Sequence, residues 1–208
     1  MKICEKKYST ELSSRGQLIL TAAKELFLKH GYEETSLEMI ISEAGGSRRS
    51  IYKEFGNKQG LLMSVVHQQI TIQTVTIASI KMTQLAPREA LKEMCFMFVK
   101  GLVSETLVAL FRLVIQVVPK LPELGELIYE KGPLKGLEPL TDYLMTLHEK
   151  GILEIDDPFY ATQMLIEMVK GRLHLKVLLL PNENITDEFI YQHIDKAVDL
   201  FLKAYQPN

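Results

Sequence analysis

Apolar residues recur along this chain at intervals of three and four, and alternating apolar–polar runs are nearly absent, so the pattern predicts helices throughout and no sheet. A first helix is expected from Ser13 or Ser14, either of which can cap it, to about His30. Leu18, Ile19, Ala22, Ala23, Leu26 and Phe27 form its apolar stripe, and Gly31 stops it. A second places Leu37, Ile40, Ile41 and Ala44 on one face before Gly45 and Gly46 reverse the chain. Ser47 can cap a third, whose Ile51 and Phe55 turn inward.

A long helix follows from Lys58 through Leu61, Leu62, Val65, Val66, Ile70 and Ile77 toward Met82. No Pro-, Gly- or Ser-rich linker interrupts it, so it is expected to act as a rigid rod that transmits a tilt. Pro87 opens the next helix over residues 88–101, followed by one over 104–118. Pro119 and Pro122 break the pattern before a short helix at 121–130, and further helices are expected over 133–150, 157–180 and 186–204. Residues before Leu12, with Lys2, Lys6 and Lys7, read as a solvated tail. The last two helices carry apolar residues on more than one side. Leu165, Met168, Val169, Leu173 and Val177, with Ile194 and Val198, exceed what one neighbour could cover, which points to a homodimer built on an isologous four-helix bundle.

Two short helices around a glycine turn form a helix-turn-helix. At about 100° per residue, Arg49 and Lys53 lie opposite Ile51 and Phe55, while Arg48, Ser50 and Tyr52 occupy the flanks. Such a helix fits the DNA major groove, where arginine pairs bidentately with guanine. A cationic outer face also occurs on helical hairpins that bind no DNA, so the spacing leaves both readings open.

The stretch SLEMIISEAGGSRRSIYKEFGNKQGLL resembles the N-terminal DNA-binding region of TetR/AcrR-type transcriptional regulators. The similarity rests on the apolar pairs of the first helix, Ala44-Gly45, Ser47, Ile51-Tyr52, Phe55, Lys58 and Leu61-Leu62, and extends back to about residue 14. The resemblance implies that Arg48, Arg49, Ser50 and Lys53 read base edges or adjacent phosphates. Tyr52 and Lys58 would hold the backbone, Ser47 would cap the reading helix, and Thr35 and Ser36 would set an N-terminus against a phosphate. Two positions depart from the family pattern: Ile41 stands where a small residue is usual, and Gly46 where a larger apolar one is. The expectation is a compensated exchange of volume between them. Residues 111–133 resemble the C-terminal ligand-binding domain of a subset of the same family, which implies a small hydrophobic or amphipathic effector. The pattern favours an acid near Val117 that this chain lacks, so no ligand role is carried over from it.

Composition sets outer limits. The 208 residues are 47% hydrophobic and 24% charged, enough for one or two substantial cores. The net charge of −2 hides an asymmetry: residues 1–60 carry ten Lys/Arg against eight Asp/Glu, the remainder fourteen against eighteen. The excess of cations sits with the groove-facing helix, where only a local patch is needed. Cys4 and Cys95 match no metal spacing, and with no signal sequence or bilayer-length apolar run the expected location is cytoplasmic, with no membrane partner.

No phosphate loop, zinc spacing, nucleophile elbow or metalloprotease helix is present in the sequence, so no cofactor, metal or enzymatic activity is expected. Met94, Met97, Phe98, Phe111 and Tyr143 are candidates to line an adaptable apolar pocket, with His67, Gln116, Tyr129 and Tyr143 as its polar contacts. The expected protein is all-α: a three-helix helix-turn-helix head (residues 13–60) joined by a long helix to a helical effector-binding and dimerisation domain (61–208). Its expected function is ligand-responsive regulation of transcription, repression in sense, with a double-stranded DNA operator and an effector as partners. The alternative is an all-helical scaffold protein whose head reads no DNA.

Overall fold

The computed structural model describes residues 12–78, 85–181, 183 and 185–207, and all regular structure among them is helical. Three serine caps set the N-terminal helices. Ser13 accepts from the Gly16 N–H to start α1 (Ser14–His30), Ser36 from the Met39 N–H to start α2 (Leu37–Ala44), and Ser47 from the Ser50 N–H to start α3 (Arg48–Phe55). Each cap satisfies a donor that the helix leaves without a partner, a contribution of about 1 kcal/mol. Then come α4 (Lys58–Ala78), α5 (Pro87–Leu102), α6 (Glu105–Val117), α7 (Pro122–Tyr129), α8 (Glu138–Glu149), α9 (Pro158–Lys170), α10 (Leu173–Leu179) and α11 (Asp187–Ala204). The tail lysines, Cys4 and the expected helix end at Met82 lie outside the described residues.

The chain divides into two compact units. One comprises the residues through Thr71 with Ala109–Lys131, the other Ile72–Val108 with Gly132–Asn208. In the first, Ile19, Ala23 and Phe27 of α1, Ile40 of α2, Ile51 of α3 and Leu61 and Leu62 of α4 are fully buried. Each of these side chains other than Ala23 contributes about 1.5–3 kcal/mol. The second is built on α5, α8, α9 and α11, with Leu91, Cys95, Leu144, Leu165, Ile194 and Val198 at its centre. Burial pushes the Cys95 thiol up to about 12, so this core cysteine is no reactive thiolate.

Three expectations are corrected. The helix expected from residue 133 begins at Glu138, because residues Glu130–Leu134 form a wide π-type turn and Pro139 belongs in a first helical turn, where its missing N–H leaves no bond broken. The single helix expected over 157–180 is two, α9 and α10. Gly171 separates them at φ 45°, ψ −138°, and its N–H closes α9 on the Glu167 carbonyl. The third concerns the surface assigned to a partner. Leu165, Val169, Ile194 and Val198 are fully buried within one subunit, and Leu173 and Val177 are only 3% and 6% exposed. Only Met168 of that set is half-buried. The apolar breadth of α9 and α11 is used by α5 and α8 of the same chain, so it reports a crowded core.

Candidate nucleic-acid interface

Local sequence decides which face of α3 is free. Ile51 and Phe55 point into the head at 0% and 5% exposure, which leaves Arg49, Tyr52 and Lys53 outside on the opposite arc. Neither Arg49 nor Lys53 forms an ion pair among the described residues, so both cations can be given wholly to a ligand. Arg48 is differently placed: Nε donates to Glu38 Oε1 at 2.6 Å and Nη2 closes on the same oxygen. The bond ties α3 to the first turn of α2. Glu38 is held below the usual carboxylate range by a backbone hydrogen bond at its own position and by Arg48. The Nη1–Nη2 edge of Arg48 remains free to donate while Nε and Nη2 hold Glu38, but the ion pair offsets its charge.

Serine and threonine positions separate in the same way. Ser47 and Ser50 bring their hydroxyls to 3.3 Å of each other beside the start of α3. Ser36 caps α2, so the N–H groups of that helix's first turn lie together. Thr35 does not face outward: it is 0% exposed and its hydroxyl lies 2.7 Å from the Gly31 carbonyl and 3.1 Å from that of Leu26. The expected contact through Thr35 is thus corrected to a positional one, since its side chain stitches the end of α1 to the start of α2. Lys58 is half-buried over the Tyr32 ring, 4.5 Å from its centroid, and donates to the Glu33 carbonyl at 3.1 Å. Burial is the main cause lowering its pKa. Glu33 in turn accepts from Lys120 at 2.6 Å, which binds the segment after α6 to the same corner.

The expected exchange of volume between Ile41 and Gly46 is not what the structure contains. Gly46 has φ 106°, a left-handed conformation that side chains rarely adopt, and a Cβ built there would meet Arg15 and Ser50 rather than Ile41. Arg15 reaches across from α1 to donate to the Ala44 carbonyl at 2.9 Å. Sequence reasoning missed Arg15, Glu38, Glu33 and Lys120, because each acts on a residue ten or more positions away and no periodicity marks such pairs.

The candidate pocket residues are divided. Met94 and Phe98 meet in a tight apolar crevice with Ile77, Leu137, Leu140 and Ile166 as further walls; its free volume of about 10 Å³ is room for about one water molecule. Met97 packs half-buried beside the same core, and Tyr143 is nearly buried within it. His67, Phe111, Gln116 and Tyr129 belong to the other unit, with Gln116 and Tyr129 exposed. His67 is shifted downward, first by burial and then by the Lys131 charge.

Residues 19–65 match the family model for bacterial regulatory proteins of the tetR family, and residues 89–207 that for the C-terminal domain of AefR-like transcriptional repressors. The HTH-type transcriptional regulator YvkB of Bacillus subtilis is 28% identical over 189 residues, 81% of this chain and 89% of that protein. The crystal structure of a TetR-family transcriptional regulator from Mesorhizobium loti is similar with a TM-score of 0.87 at 26% identity, covering 96% of this chain and 100% of that one. The flavonoid-responsive regulator FrrA has a TM-score of 0.79 at 28% identity, covering 93% of this chain and 98% of its own.

Proposed function

The chain belongs to the TetR family of transcriptional regulators, and from that membership we propose that it is a repressor that binds operator DNA as a homodimer and is released by a small apolar effector. One observation carries the DNA-binding part: the outer arc of α3 presents Arg49, Tyr52 and Lys53 with no ion pair among the described residues to hold either cation, on a helix anchored by Ile51 and Phe55. In the major groove Arg49 and Lys53 would reach base edges, while Ser47, Ser50 and Lys58 bear on the backbone. Ser36 would bring the start of α2 to a phosphate.

Repression as the sense of regulation is supported by the match of residues 89–207 to the C-terminal domain of AefR-like repressors. The apolar crevice between Ile77, Met94 and Phe98 would have to widen to admit an effector, and its walls, which hold no charged side chain, would then favour an uncharged or amphipathic ligand. FrrA, of similar fold, is flavonoid-responsive. Coupling would be a population shift: the effector and the operator favour different arrangements of the reading heads, and α4, which begins at Lys58 and reaches Ile77, is the element common to head and crevice.

Dimerisation is assigned to the apolar side chains that the core leaves outside. On α10 these are Leu175 and Leu179, one turn apart, with Met164 on α9 and Leu200 on α11. The test is selection of bound duplexes from a random pool, followed by mobility shift on the selected sequence and native mass spectrometry of the complex. Enrichment of a two-fold symmetric site bound by two chains is the expected result. Failure to enrich any sequence would refute operator reading.

A further inference from the structure

We propose that Arg15 is a further DNA-backbone contact, seated across the Gly45-Gly46 turn so that its spare N–H groups meet a phosphate beside α3. This rests on the DNA-binding reading above. Arg15 is exposed in the first turn of α1, and its Nη1 donates to the Ala44 carbonyl at the end of α2. That bond uses one of five guanidinium N–H groups, and no other partner of Arg15 is found among the described residues.

The turn is shaped to hold this side chain close. A Cβ on Gly45 would stand 2.9 Å from Arg15 Nη1, and one on Gly46 would stand 3.4 Å from Cδ and 3.9 Å from Cγ. The same point on Gly46 lies 3.8 Å from the Ser50 hydroxyl, so Arg15 and Ser50 flank a single spot left bare by the missing side chain. Ser47 completes the group through its contact with Ser50. A fixed cation and two hydroxyls are thereby gathered at the entry to the reading helix. A guanidinium that keeps a pair of parallel donors free recognises a phosphate in two bonds, and a second glycine beneath it keeps it low on the turn. Such a contact carries no sequence information and orients the head.

The test is fluorescence anisotropy of the full-length protein from 50 to 200 mM salt, with a random-sequence duplex and with a duplex selected by the wild-type protein. Each phosphate contact contributes about 0.9 to the slope of log affinity against log salt, or about 1.8 for the two heads of a dimer. Arg15→Ala should lower the slope by that amount on both duplexes, so that the fourfold rise in salt causes roughly 12-fold less loss than in wild type. Arg15→Lys should retain the wild-type slope. Arg15→Gln, which keeps an amide donor for Ala44, carries the alanine expectation should the alanine variant not fold. A residue that only caps α2 would lower Tm and leave the slope alone. An unchanged slope in the neutral variants, with or without a fall in Tm, overturns the proposal while leaving DNA binding intact. A wild-type protein with no salt-sensitive binding to either duplex overturns the DNA-binding reading itself, and Arg15 with it.

Discussion

Two leucines six residues apart should respond to the same substitution in opposite ways. Leu173, at the start of α10, is 3% exposed, whereas Leu179, at its end, is 67% exposed. Glutamate at 173 places a carboxylate without a counter-charge in the second core, at a cost of roughly 3–5 kcal/mol, a large share of a domain's stability. Glutamate at 179 touches no core and should change protomer stability by no more than about 0.5 kcal/mol. Its effect would fall on assembly. In a two-fold interface each leucine occurs twice, so loss of Leu179 removes roughly 3–6 kcal/mol at about 1.5–3 kcal/mol per side chain, which raises the dimer Kd by about two to four orders of magnitude. Sedimentation equilibrium reads the mass, and far-ultraviolet dichroism with urea unfolding reads the fold. The expected outcome is a folded monomer for Leu179→Glu and an unfolded or strongly destabilised chain for Leu173→Glu. A wild-type dimer mass in Leu179→Glu would remove the exposed row of α10 from the interface. A folded, monomeric Leu173→Glu would refute the argument from burial.

Arg49→Ala should weaken binding to selected DNA by about 1–3 kcal/mol and to random DNA much less, while Lys58→Ala should weaken both alike in competition binding; equal losses from Arg49→Ala would exclude it from base reading. Glu38→Gln should release Arg48 and raise affinity for random duplex, seen as a steeper salt slope, and an unchanged slope would mean that the ion pair does not withhold the Arg48 charge from DNA. Thr35→Val removes the buried hydroxyl bonded to carbonyls of α1 and should lower unfolding free energy by about 1–3 kcal/mol in urea. Gly46→Val should be destabilising by more than about 1 kcal/mol because of its φ of 106°, and adding Ile41→Ala should not relieve it; a double variant more stable than the sum of the single changes would restore the idea of a shared volume.

Much of the head was legible because its determinants are local. The pattern places Ser13 or Ser14 to cap α1 and Ser47 to cap α3, Gly31 and Gly45 end two helices, and the 3.6-residue period alone sets Ile51 and Phe55 against Arg49 and Lys53. These features act within about one helical turn, the range over which a linear pattern holds information about geometry. The same holds for the all-helical class, since each apolar stripe had to be covered by another helix.

Tertiary structure alone decided what covers each stripe. Leu165, Val169, Leu173, Ile194 and Val198 read as surplus apolar area, and whether α5 and α8 or a second subunit absorbs it depends on helix packing that periodicity does not encode. Gly171 was visible as a glycine, yet only its backbone angles show that it divides α9 from α10. Arg15 over Gly46, Glu38 on Arg48 and Lys120 on Glu33 join positions 31, 10 and 87 residues apart. Composition and spacing determined that the chain is helical and which faces of its helices are apolar. Which side chains meet was decided by the closure of the chain on itself, because such contacts depend on distances in space that no interval along the sequence records.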